Sequence, residues 1–123
     1  MADFNVSIID QDYTRRARLT HALLAVGRHV EPFESFREYV ATRPDRQVLL
    51  VNDEHTQLRD VLRYCEEEGC RIATIAYSQA INPHFVVDAV KSGVFDYYSW
   101  PIDPVALNSA IDSCIRSAEA RWE

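Results

Sequence analysis

Glycine is scarce: there are three in 123 residues, at positions 27, 69 and 93. A loop that cradles phosphates needs several glycines close together, so P-loop and dinucleotide-binding fingerprints are excluded. Cysteine is equally rare. Cys65, Cys70 and Cys114 are odd in number and fit neither a zinc ribbon nor a C-x-x-C redox pair; they read as reduced thiols. The four histidines (21, 29, 55 and 84) are scattered without metal-ligand spacing. Positive charge is in deficit, with 13 Lys+Arg against 19 Asp+Glu and a net charge of −6. No basic stripe is present to neutralise a phosphate backbone, so direct nucleic-acid binding is not expected. No apolar run approaches the ~18 residues of a membrane span, and Met1–Asn5 lacks the features of a signal peptide. A cytoplasmic location without membrane contact is therefore expected.

What is present alternates. Phe4–Ile9, His29–Phe33, Val48–Val51, Arg71–Ala76 and Val94–Tyr98 read as short strands, the second demoted toward a sheet edge by Pro32. Helical stripes follow each. The first carries Leu19, Ala22, Leu23 and Val26 after a cap at Asp12 or Thr14, and ends at Gly27. The second, capped by Ser35, carries Phe36, Tyr39 and Val40 and closes at Pro44; the third carries Leu58, Val61, Leu62 and Cys65 and stops at Gly69. Asn82-Pro83 and Asp103-Pro104 are cap-then-proline signals for the last two. These pack Val86, Ala89 and Val90, then Leu107, Ala110, Ile111, Cys114 and Ala118. Glu66-Glu67-Glu68 reads as a solvated acidic face. The length suits one domain, residues 1–123. The pattern predicts an α/β fold: a five-stranded parallel sheet, (βα)5, doubly wound, of flavodoxin-like topology.

In such sheets the site lies beyond the carboxyl ends of the strands. The residues there are Asp10-Gln11-Asp12, Asn52-Asp53-Glu54-His55, Ala76-Tyr77-Ser78 and Ser99-Trp100-Pro101. Two stretches, Val6–Asp12 with Arg16 and Ala89–Pro104, resemble the response-regulator receiver domain, and the likeness extends over about residues 4 to 118. The resemblance implies two acids holding Mg²⁺, a phosphoacceptor Asp after strand three, a Thr or Ser after strand four and a Lys before the strand-five Pro. Asp10 matches the first acid, Gln11 stands at the second, and Asp12 is one position late. Asn52, Ala76 and Trp100 stand at the acceptor, hydroxyl and lysine positions. The 24-residue interval from Asn52 to Ala76 also shortens the loop after strand three relative to the family.

The resemblance therefore implies a degenerate receiver that has lost aspartyl phosphorylation and has no catalytic activity of its own. No cofactor is expected, with any Mg²⁺ binding at Asp10 and Asp12 weakened or lost. By the same resemblance Trp100–Pro101 is a candidate cis bond. Lys91, Asp96, Tyr97, Tyr98 and Asp103, with Phe85, Asn108 and Asp112, would form an interaction face on helix four, strand five and helix five. Tyr97 matches the family's switch aromatic. The expected partner is a second copy, an output domain or another protein, in the regulation of a transcription activator. The last helix, ending Ala118–Glu123, would suit continuation into a linker or coiled coil. Two alternatives remain: phosphorylation of Asp53 with Mg²⁺ held by Asp10, Asp12 and Glu54, or a small-molecule signal in the vestigial acidic pocket walled by His55, Tyr77 and Trp100. A one-residue slip from Asn52 to Asp53 would turn the side chain to the other sheet face.

Overall fold

A computed structural model describes residues 5–42, 47–54, 58–67, 72–79 and 82–122. Five strands and five helices alternate. They are β1 (Asn5–Ile9), α1 (Tyr13–Ala25), β2 (Val30–Phe33), α2 (Phe36–Thr42), β3 (Gln47–Asn52), α3 (Leu58–Glu67), β4 (Ile72–Ser78), α4 (Pro83–Lys91), β5 (Asp96–Ser99) and α5 (Pro104–Trp122). The strands form one parallel sheet in the order β2-β1-β3-β4-β5. The α/β fold expected from the alternation is the one found. Pro32 lies on an edge strand, where its missing N–H breaks no central ladder.

Strand side chains alternate between two cores. Val6, Ile8, Val48, Leu50, Ile75 and Tyr77 pack under α1 and α5, against Leu19, Leu23, Leu107, Ile111 and Cys114. Ile9, Leu49, Val51 and Ala76 pack under α2, α3 and α4, against Tyr39, Leu58, Val61 and Ala89. β3 carries a continuous apolar run, Val48–Val51, because both its faces are covered.

Local signals explain the helix starts. Asp12 caps α1 by accepting from the N–H of Arg15, and Asn82 caps α4 by accepting from His84. Ser35 accepts from Glu38, whose carboxylate accepts in return from the N–H of Glu34.

Several expectations need correction. Val26 is outside α1 as its C-cap residue and is 52% exposed. Val90, expected to pack inward, is also 52% exposed, because Val86 and Ala89 already fill the inward stripe of α4. β4 and β5 run to Ser78 and Ser99, further than expected, and β5 begins only at Asp96, after a buried Val94. Phe4, Pro44, His55, Glu68, Gly69, Cys70 and Arg71 lie outside the described residues, as does the side chain of Ala118.

Gly93 closes α4 with φ +113°, a region that side-chain-bearing residues rarely adopt. The space around it is open, so the cost of a methyl there is conformational rather than steric. Gly93→Ala is expected to lower stability by about 1–3 kcal/mol in urea unfolding with an unchanged m value; a neutral effect would show that the turn relaxes.

Candidate functional site

The strand order reverses between β1 and β3, and the crevice beyond their carboxyl ends is where such sheets bind ligands. Alternation sends the side chains there to two different sides. Asp10 continues the face of Val6 and Ile8, together with Tyr77 and Trp100. Asn52 pairs with Tyr77 in the β3–β4 ladder and shares that face. Asp53 belongs to the opposite face, with Ala76, Ser78 and Tyr97.

On the first face Asp10 is fully buried, and both its oxygens are engaged. Arg15 donates from Nε to Oδ2 at 2.8 Å and from its terminal nitrogen to Oδ1 at 2.9 Å. The Tyr77 hydroxyl donates to Oδ2 at 2.7 Å, and the N–H of Asp12 donates to Oδ1 at 2.9 Å. Arg16 donates to the Asp10 carbonyl at 2.7 Å. The hydrogen bond to Asp10 holds the Arg15 guanidinium above even its usual range. Burial, followed by the Asp10 charge, pushes the Tyr77 hydroxyl far up, so it stays a neutral donor. Trp100 lies against Tyr77, ring centroids 6.0 Å apart, and the Trp100–Pro101 bond is cis.

Arg15 is the residue that sequence reasoning missed. It lies one turn before Leu19 on the stripe of α1 that continues to Leu23, and all three are buried. An arginine on a buried stripe requires a carboxylate partner, and Asp10, five residues earlier, supplies it.

Receiver chemistry calls for Mg²⁺, which takes oxygen ligands in octahedral geometry. The donor set here does not fit that ion. The Asp10 oxygens are taken by four donors, and Asp12 caps α1. Asn52 Oδ1 accepts from the N–H of Glu54, and its Nδ2 is buried without an acceptor among the described residues. Glu54 accepts from the N–H of Gln79. Asp10 and Asp12 thus both accept from Arg15, Glu54 accepts from Gln79, and among the described residues no three acids cluster so as to hold a metal ion. Of the walls expected for the acidic pocket, Tyr77 and Trp100 lie against each other beside the Arg15–Asp10 pair, and His55 lies outside the described residues.

On the second face Asp53 is half-buried and accepts from the Tyr97 hydroxyl at 2.8 Å. That hydroxyl also lies 3.0 Å from Ser78 Oγ. Burial is the main cause that raises the Asp53 carboxyl above the usual carboxylate range; the Tyr97 hydrogen bond opposes it. Burial likewise pushes Tyr97 up to about 12, with Ser78 opposing and Asp53 adding.

The expected interaction face is only partly a surface. Lys91 and Asp103 are exposed, whereas Asp96, Tyr97 and Tyr98 are half-buried, with Tyr97 turned inward to Asp53. Asn108 and Asp112 are tied to Arg28 instead, across α5 toward the end of α1. Phe85 lies on the other flank of α4, beside α3. Val87, Val90 and Val105, all exposed, were not singled out as contacts; the apolar positions that the inward stripe leaves over were the signal.

Comparison with solved structures finds close folds at low identity. A CheY-like receiver domain protein from Methanospirillum hungatei superposes with a TM-score of 0.85 at 16% identity, covering 98% of this chain and 99% of that one. The beryllofluoride-activated NtrC4 receiver domain dimer gives 0.82 at 14%, covering 93% and 98%. Full-length FixJ from B. japonicum gives 0.85 at 19%, covering 97% of this chain and 61% of that one. No family model and no curated protein matches the chain.

Two outcomes test this geometry. Arg15→Met leaves Asp10 buried and unpaired, and should cost about 3–5 kcal/mol in urea unfolding; adding Asp10→Asn should recover a large part of that loss. Asp53 behaves oppositely. Its folded pKa lies above the unfolded one, so its charge opposes folding, and stability falls as pH rises through the folded value. Asp53→Asn should therefore raise Tm at pH 7, with the gain shrinking toward pH about 4, the ordinary carboxylate value. In its fold this chain is similar to the response-regulator receiver domains.

Proposed function

We propose that this chain is a receiver-type signalling domain that works without aspartyl phosphorylation and without bound Mg²⁺. The observation that carries this reading is the bidentate Arg15–Asp10 pair, closed by Tyr77. Phosphoryl transfer in a receiver needs a carboxylate nucleophile and cations around the transferring group. Here a guanidinium from the same chain neutralises the acidic corner. An amide, Asn52, stands at the acceptor position, and an indole, Trp100, at the lysine position. No independent catalytic activity is part of this reading.

The output in this reading is binding through α4, β5 and α5. Val87, Val90 and Val105 are exposed apolar side chains, and Lys91 on α4 and Asp103 just before α5 are exposed charges of opposite sign. A patch carrying both signs beside apolar residues suits a two-fold contact, in which each charge meets the other's counterpart. The NtrC4 relative is described as a receiver domain dimer, and FixJ is a longer protein of which this chain matches 61%. By analogy the partner is a second copy, or an output domain of a transcription activator.

The alternative of phosphorylation at Asp53 is tested by the same experiment. Amide NMR and sizing are run with and without Mg²⁺ and beryllofluoride. The expected result is unchanged amides at Asp10, Asn52 and Trp100. Self-association should be indifferent to both additives, and Val90→Asp should weaken it about tenfold or more. Saturable shifts that vanish in Asp53→Ala, with dimerisation appearing only in the treated sample, would overturn the proposal.

A further inference from the structure

Between α3 and α4 lies a cavity of about 380 Å³, within the range of small-molecule sites. Leu58, Leu62 and Ala89 give it apolar walls, and Phe85 beside them is 60% exposed. Asp53 also lines it, and its carboxylate is partly withdrawn from water. The described partner of that carboxylate is a neutral phenol, Tyr97. The ion pairs among the described residues are Arg15–Asp10 and Arg28–Asp112, so neither Asp53 nor Asp88, the second acid in the lining, has a described cation. Arg59 lines the cavity as well but pairs with neither, and the three charges sum to −1.

We propose that this cavity binds a small organic cation, an alkylammonium with an apolar body. A desolvated carboxylate without a cation is costly, and a cationic head removes that cost. The exposed ring of Phe85, in the same lining, can also attract a cation. The leucine walls take the alkyl part and exclude a hydrated metal ion, which would find one partly buried carboxylate and little else. An anion is disfavoured by both acids. A neutral ligand leaves Asp53 as it was. This site is on the sheet face opposite Asp10, and the inference rests on the reading that the Asp53 carboxylate is not phosphorylated.

The test titrates the ¹⁵N-labelled chain with isopentylammonium chloride, isopentanol and isovalerate at equal ionic strength. The ammonium should give saturable shifts at the amides of Asp53, Leu58–Leu62 and Phe85–Ser92. Asp53→Asn retains an oxygen acceptor for Tyr97 and should weaken the ammonium about tenfold, the scale of one charge-assisted hydrogen bond. Phe85→Ala alters an exposed side chain, leaves the core intact, and should weaken it about two- to fivefold. Any one of three results overturns the proposal: isopentanol or isovalerate binding as tightly, an ammonium affinity unchanged by both substitutions, or no saturable shift.

Discussion

A carboxylate with no exposure and a guanidinium nearly as buried meet at the end of β1, and much of the site is arranged around them. Asp10 cannot stay charged in that place without donors, and its two oxygens receive four. Those donors come from the β1–α1 turn, from α1 and from β4. The pair thus fixes how α1 enters the sheet, and which way Tyr77 and its neighbour Trp100 lie. A buried ion pair of this kind adds little net stability over an apolar replacement. Breaking it from one side is costly, which makes the arrangement specific.

The consequence for function is a division of labour between the two faces of the sheet. On the α1–α5 face the acidic corner is closed by the chain's own arginine. On the other face Asp53 has no such partner among the described residues; a tyrosine hydroxyl and a serine hydroxyl meet beside it, and a cavity opens past it between α3 and α4. Two acids 43 residues apart in sequence thereby acquire opposite electrostatic characters. One is saturated by charge. The other is held by burial above its ordinary pKa, with a neutral donor.

The same alternation accounts for the exposed valines of α4. Ala89 is the buried residue of α4 and Val86 is half-buried, whereas Val87 and Val90 are on the surface. Inward-turned Tyr97 brings β5 into contact with the Asp53 side rather than adding an aromatic to that surface. What is exposed on α4 and α5 includes Val87, Val90 and Val105, with Lys91 at the end of α4 and Asp103 just before α5.

The sequence by itself determined the alternation of strands and helices, the edge position of Pro32, the caps at Asp12 and Asn82, and the glycine stops at 27 and 93. These follow from local chemistry: period, capping and backbone permission act over a few residues. It also determined which chemical groups stand at the ends of the strands, including the amide at Asn52 and the indole at Trp100. Only the tertiary structure decided what those groups meet. Asp10 finds Tyr77 from 67 positions away, and Asp53 finds Tyr97 from 44. Arg15 became legible only once its helical stripe was seen to be buried against the carboxylate. Such pairings arise where strands distant in sequence are laid side by side, and the two-residue period then sorts their side chains onto opposite faces.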